Sequence, residues 1–328
     1  MQLIMRFRTF PWHFILVFSL LFLMIGDEAN PAKKMMISTE NLKGHVRNIH
    51  FDRGPYHGYQ KLEQAAQYIE KEFLKAGLEV REDRFEWEGK SYKNIVAEKR
   101  GMTSPRRVLI LGAHYDTVPG SPGADDNASA VALLLEVARN IQAVPLESTV
   151  RLVAFSLEEY DFAGSAHYVD SLSKGGEEIL GMISVEMVGF TGPRQDYPPY
   201  LNPKHYPNVG DFIAIIGNER SKGLLEKVCR SFKTNIPELP LEFLIVPGNG
   251  EEMDEVSLSD HSVFWDKGVP ALMITDTGFL RNPNYHLSSD RIETLDFGFM
   301  QKVAIGVYHS VVELARLADT KPETRNTR

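Results

Sequence analysis

Residues 108 to 159 constrain this chain more than any other stretch. The run VLILGAHYDTVPGSPGADDNASAVALLLEVARNIQAVPLESTVRLVAFSLEE opens on Val108–Leu111, which is apolar without alternation. That pattern belongs to a central strand covered on both faces. Asn127 to Gln142 then reads as a helix, with Val131, Leu134, Leu135, Ala138 and Ile141 on one face. Thr149 to Phe155 is a second buried strand. Ionisable side chains gather at the ends of both strands, where an open α/β sheet places its chemistry.

The remaining chain continues the alternation. Leu42 to Ile49 reads as a short helix. Gly58 to Gly77 reads as a longer one, stopped by Gly77. Leu78 to Trp87 and Tyr92 to Glu98 are strands, joined by a turn at Glu88-Gly89-Lys90. Strands follow at Ile179–Met187, Asp211–Gly217, Leu241–Val246 and Val269–Asp276. A helix is expected from Arg220 to about Phe232, and a long one within Ile292 to Leu317. The predicted architecture is a single α/β domain, residues 31 to 318, with a mostly parallel mixed sheet and helices on both faces. Thr191 to Gly210 carries few regular signals; it is either a lid or pocket wall, or a surface insertion.

Composition excludes several classes. The 328 residues are 43% hydrophobic and 24% charged, with a net charge of −8 and no Lys/Arg-rich run, so nucleic acid is not an expected partner. One cysteine, Cys229, allows neither an intrachain disulfide nor a cysteine-rich zinc site. Arg6 and Arg8 precede an apolar run from Phe14 to Ile25, with Asp27 and Glu28 after it. Residues 1 to 30 therefore read as a signal peptide, or as a membrane tether through residues 10 to 25, and the folded part as exported to the periplasm or outside the cell. Residues 319 to 328 are a polar tail.

Several short motifs carry candidate chemistry. His114 ends the first core strand, and Asp116 two residues on can orient its ring. Asp125 and Asp126 are adjacent in one loop; their repulsion calls for a cation or a proton. Asn127-Ala128-Ser129 matches a glycosylation sequon, discounted inside this loop. Glu158 and Glu159 follow the second core strand, where consecutive side chains point apart, so one can ligate a metal while the other serves as base. His261 and His286, each with nearby carboxylates, flank the strand Val269–Asp276. No HExxH, GxSxG or Walker loop occurs.

Taken in order, GAHYD, GADDNAS, LEEYDFAGS, SDHSVF and NYHLSSDRIETLD resemble the dizinc peptidases that include secreted bacterial leucine aminopeptidases and glutamate carboxypeptidase II. The resemblance spans Asn41 to Leu317. It implies a single α/β domain and two zinc ions, with His114 on one, Asp126 bridging, and Glu159 and His286 on the other. It implies Glu158 as general base and Asp116 as the partner of His114. The family's carboxylate on the third core strand is usually Asp; Glu186 stands there in SVEMVGF, one methylene longer. His261 is expected to line the pocket and stabilise the oxyanion. The implied activity is removal of N-terminal residues from peptides, or hydrolysis of a small amide. A single-zinc glutaminyl cyclase and a non-catalytic binding scaffold are the other readings of this resemblance.

Overall fold

The computed structural model describes residues 36–172 and 175–316. The predicted export segment and the polar tail lie outside them. Eight strands form one sheet in the order β1-β2-β4-β3-β5-β8-β6-β7. They are β1 (Glu79–Trp87), β2 (Lys90–Lys99), β3 (Ser104–His114), β4 (Ser148–Phe155), β5 (Glu178–Glu186), β6 (Ile213–Asn218), β7 (Leu241–Val246) and β8 (Ala271–Thr275). The central strands β4, β3, β5 and β8 run parallel. The β1–β2, β2–β4 and β6–β8 pairs are antiparallel, and β6–β7 is parallel. The described residues thus form one α/β domain with a mixed sheet.

The β1–β2 turn is tighter than the sequence suggested. Trp87 pairs with Lys90, leaving only Glu88 and Gly89 between the strands, with φ of 46° and 73°. Two consecutive left-handed residues match the right-handed twist of the flanking strands.

The helices are α1 (Thr39–Ile49), α2 (Tyr59–Lys75), α3 (Ala130–Ile141), α4 (Ala163–Leu172), α5 (Lys222–Asn235), α6 (His261–Asp266) and α7 (Phe297–Arg316). Alternate strand residues divide the core into two layers. Val108 and Ile110 of β3, Val153 and Phe155 of β4, and Met182 of β5 pack with Tyr168 and Val169 of α4 and with Phe264 and Trp265 of α6. Their neighbours Leu109, Leu111, Val150, Leu152 and Ile183 are equally buried and point to the opposite face, where α3 and α7 contact β3 and β4. α4 and α6 were not read from the sequence. α4 buries Gly164, Ser165, Tyr168 and Val169, a face with little apolar contrast, and α6 is six residues long. Among the described residues no helix is long and apolar enough to cross a membrane.

α5 and α7 approach closely because Gly306 faces the ring of Phe232; a Cβ there would lie 2.4 Å from a ring carbon. Phe232 is buried and cannot swing away. Gly306→Ala gains up to about 1 kcal/mol of helix propensity but overpacks at a cost of about 1–3 kcal/mol. The expected result is net destabilisation, seen as a lower urea midpoint with an unchanged m-value.

Candidate active site

Three adjacent parallel strands deliver the site. His114 is the last residue of β3 and pairs with Phe155, the last of β4. Glu186 ends β5, two residues beyond the Gly112–Ser184 pair. Glu158 and Glu159 lie just past β4. Leu157, Met187 and His286 all adopt left-handed φ, at 59°, 48° and 60°. Such a conformation costs a non-glycine residue roughly 1–2 kcal/mol. Here it turns the chain sharply at the residues that carry Glu158, Glu186 and the imidazole.

Asp126 sits between two groups. Its Oδ1 lies 3.3 Å from His114 Nε2, and its Oδ2 lies 3.2 Å from His286 Nε2. Glu186 Oε1 and Glu158 Oε2 are 3.4 and 3.8 Å from His114 Nε2, and Glu159 Oε2 is 3.1 Å from His286 Nε2. Potential ligand atoms of His114, Glu158 and Glu186 lie within 4.8 Å of one another, as do those of Asp126, Glu159 and His286. The ring of Tyr285 stacks on His286 at 3.7 Å between centroids. His286 Nε2 is buried and, despite its short distances to carboxylate oxygens, makes no hydrogen bond, and Glu159 Oε1 is also unpartnered. Atoms so arranged converge on common points, which suits metal ions.

Backbone and side-chain contacts hold these groups. Asp116 accepts the N–H groups of Glu158 and Glu159 at 3.0 and 3.2 Å. Its Oδ1 stands 3.5 Å from His114 Nδ1, so its firm bonds go to the Glu-Glu loop. Asp290 accepts the N–H groups of Asp125 and Asp126. Ser259 donates to Glu186 Oε2 at 2.9 Å. The extra methylene of Glu186 is thereby accommodated, one oxygen facing His114 and the other Ser259. Asn127 donates to Val185 O and accepts from Met187 N–H; fully buried, it offers nothing to a glycosylating enzyme.

One expectation, that for His261, needs correction, and of the two adjacent acids only Asp126 faces the cluster. Asp125 points away, accepting from Gly189 N–H and from Asn282 at 2.7 Å. Burial drives its pKa well up, and the neighbouring charge of Asp276 adds to the shift. Successive side chains around the wound turn Ala124–Ser129 diverge, and Asp126 and Asn127 leave helical geometry there; regular helix begins only at Ala130. Nor does His261 join the cluster. Its Nε2 is 2.9 Å from Val256 O, its ring packs edge-on against Trp265, and it is wholly buried. Burial pushes its pKa down to about 4. It is a neutral core histidine at the start of α6.

Burial shifts the titration of the site's groups strongly. Desolvation, with Asp126 beside it, lifts Glu159 to about 8. Desolvation likewise raises Glu158 well above the usual range. Burial alone would lower His286, but the Asp126 and Glu159 carboxylates prevail and take it to about 10. Asp260, just before His261, is buried with neither oxygen hydrogen-bonded and is pushed by desolvation to about 7.

Arg53 had no signal in the sequence. Its guanidinium is fully buried and donates to the carbonyls of Ile49, Phe51, Tyr115, Pro122 and Gly123. It ties the segment before α2 to both ends of the loop between His114 and Asp126. Gly123, at φ 58°, is packed so tightly that a Cβ would meet Asp126 O at 2.3 Å.

Beside Glu186 opens an apolar cleft. Its walls include Tyr197, Tyr200, Leu201 and Tyr206 from the irregular 191–210 segment, which is therefore a pocket wall. A Gly192–Gly210 bridge closes that segment on itself. Gln195 ties it to Thr277 and Arg281.

Comparison with known proteins gives the family. Residues 94–311 match the model of peptidase family M28. The chain belongs to peptidase family M28. The uncharacterized Escherichia coli protein YfbL is 35% identical over 75% of this chain and 78% of its own. The Bacillus subtilis aminopeptidase YwaD is 33% identical over 66% of this chain, which spans 43% of that longer relative. In fold, the chain resembles the structure of a zinc aminopeptidase from Bacillus subtilis, with a TM-score of 0.68, 16% identity, and 88% and 97% of the two chains covered. A glutaminyl cyclase from Fimbriiglobus ruber shares the fold to a similar degree, with a TM-score of 0.67, 18% identity, and 88% and 99% covered.

Arg53→Met is expected to leave several buried carbonyls without a donor. A buried acceptor left without its donor costs about 1–3 kcal/mol, which should appear as a lowered Tm. Looser tethering of His114 and Asp126 should also weaken zinc uptake by the refolded apoprotein, followed by metal titration.

Proposed function

We propose that this protein is an exported zinc aminopeptidase that removes the first residue of a peptide. The observation that carries the reading is Asp126, which presents one oxygen to each of two histidine-carboxylate groups. His114 and Glu186 would hold one zinc, Glu159 and His286 the other, with Asp126 shared. When bound, zinc supplies a more acidic water and polarises the substrate carbonyl.

The chain's own residues do the rest. Glu158 hangs at the edge of the His114 group, at the longest of the three carboxylate distances. It takes the proton of the attacking water and passes it to the leaving amine. Asp116 positions that carboxylate by holding the backbone N–H of Glu158. The acidic cluster also suits the ammonium of a free peptide N-terminus, which favours an exopeptidase over an enzyme that cuts within chains. With His261 buried elsewhere, no protein donor is assigned to the oxyanion. The cyclase reading has the shared fold behind it, whereas the relative named an aminopeptidase is also alike in sequence.

Glu158 and Glu159 separate the roles. Glu158→Gln should keep zinc content and Tm while kcat falls ~10²–10⁴-fold and KM changes little. Glu159→Gln should lose metal affinity, and added zinc should restore part of its activity. Metal analysis of well-loaded wild-type protein should give two zincs per chain. Loss of zinc in Glu158→Gln with retention in Glu159→Gln would reverse the assignment. Hydrolysis of aminoacyl anilides against cyclisation of N-terminal glutamine peptides distinguishes the two enzyme classes.

Export is supported by Arg6 and Arg8 ahead of the Phe14–Ile25 run. Fractionation of cells expressing the full chain should place the activity outside the cytoplasm, and recovery of all of it in the cytosol with Met1 retained would refute export.

A further inference from the structure

The cleft beside the carboxylate cluster has a floor that can be read row by row. Glu186 on β5 pairs with Thr275 on β8, Thr275 with Ala214 on β6, and Ala214 with Glu242 on β7. Residues in one such row point to the same face, and all four line the cleft. The floor therefore crosses three strand spacings, roughly 14 Å, from the metal-binding carboxylate to the edge strand.

Several polar groups along it are occupied. Gln195 is bonded to Thr277 and Arg281. Thr275 Oγ1 accepts from Thr277 N–H at 2.9 Å. Glu255 accepts from the Tyr200 hydroxyl at 2.7 Å. The Glu242 carboxylate is not: it is partly buried and has neither a hydrogen bond nor an ion pair among the described residues. Burial pushes its pKa up, and Lys233 of α5 opposes this only at a distance. Lys233 lines a different depression with Ile245, whose side chain points to the other face of β7. Between the two ends the surface is aromatic and aliphatic, with Leu201, Ile216 and Leu244 on it.

An unpaired carboxylate in an apolar cleft is costly unless a cation meets it. A leucine side chain held near Glu186 would fill only the near part of such a floor. Lysine and arginine lay apolar stems along a wall and carry the charge at the tip. We propose that the cleft takes the side chain of the substrate's first residue and that Glu242 at its far end selects a cationic tip. Peptides beginning with Lys or Arg are then the preferred substrates. The inference rests on the aminopeptidase reading above and adds the identity of the residue removed.

The test compares lysyl, arginyl, norleucyl and leucyl anilides on the zinc-loaded full chain. Norleucine has the stem of lysine without the charge. The wild type should favour lysine over norleucine in kcat/KM by about ten- to hundredfold, the worth of a hydrogen bond to a charged group. Glu242→Gln should collapse that ratio mainly through KM, and Glu242→Lys should invert it. Inhibition by free lysine against free norleucine should follow the same order and the same collapse. A wild-type ratio near one, or a ratio unchanged in Glu242→Gln with zinc content intact, would overturn the proposal. Hydrolysis of none of the four would overturn the aminopeptidase reading, and this proposal with it.

Discussion

Mutual repulsion among buried carboxylates is the constraint on which this structure depends. Asp126, Glu158, Glu159 and Glu186 converge within a few ångströms, with Asp116 and Asp260 close behind and only two imidazoles among them. Water cannot screen charges so placed, so each must be matched by a proton, a cation or a hydrogen-bond donor. The surroundings supply donors to some of these acids: backbone N–H groups for Asp116 and Asp290, and Ser259 for Glu186. Oxygens of Asp126, Glu158 and Glu159 face the two imidazoles instead. A scaffold that holds some carboxylates from behind and turns bare oxygens toward two histidines is organised for divalent metal.

That arrangement needs a rigid support, and the support is distributed. β3, β4 and β5 fix His114 and Glu186 through ladder hydrogen bonds on both sides. The loop from His114 to Asp126 has no ladder, so Arg53 takes that part by gathering its carbonyls. Asp125 and Asp276 form a second buried acid pair behind the first. Their contacts to Gly189, Phe190, Gly278 and Asn282 lock the loops that follow β5 and β8. The same loops carry the cleft wall and lead to His286. The metal site and the substrate cleft thus share one set of fixings.

The half of the sheet beyond β5 plays a different part. The antiparallel β6–β8 pair extends the floor sideways, beyond the ends of the catalytic strands. The 191–210 segment lacks regular structure yet is stapled at its base and by Gln195, which makes it a wall for the cleft. Reaction and selectivity therefore occupy different strands joined at Glu186, the one residue that belongs to both.

The sequence by itself determined the strand–helix alternation and all eight strands to within a few residues, because continuous apolar runs such as Val108–Leu111 have few other places to go. It also marked His114, Asp126, Glu158, Glu159, Glu186 and His286, through five short motifs that only in their order resemble the dizinc peptidases, Glu186 by the place it takes in that pattern. It gave no destination for Asp125, since only the turn at Ala124–Ser129 sends adjacent side chains to different partners. It could not place His261, a metal-friendly residue type that α6 buries against Trp265. Arg53 was illegible because its partners are backbone carbonyls from three segments, and carbonyls leave no mark in a sequence. Glu242 was illegible for a related reason. An acidic residue on a short edge strand reads as solvated until pairing through Ala214 and Thr275 sets it in one row with Glu186. Local pattern records what a residue can do; the tertiary structure decides what stands opposite it.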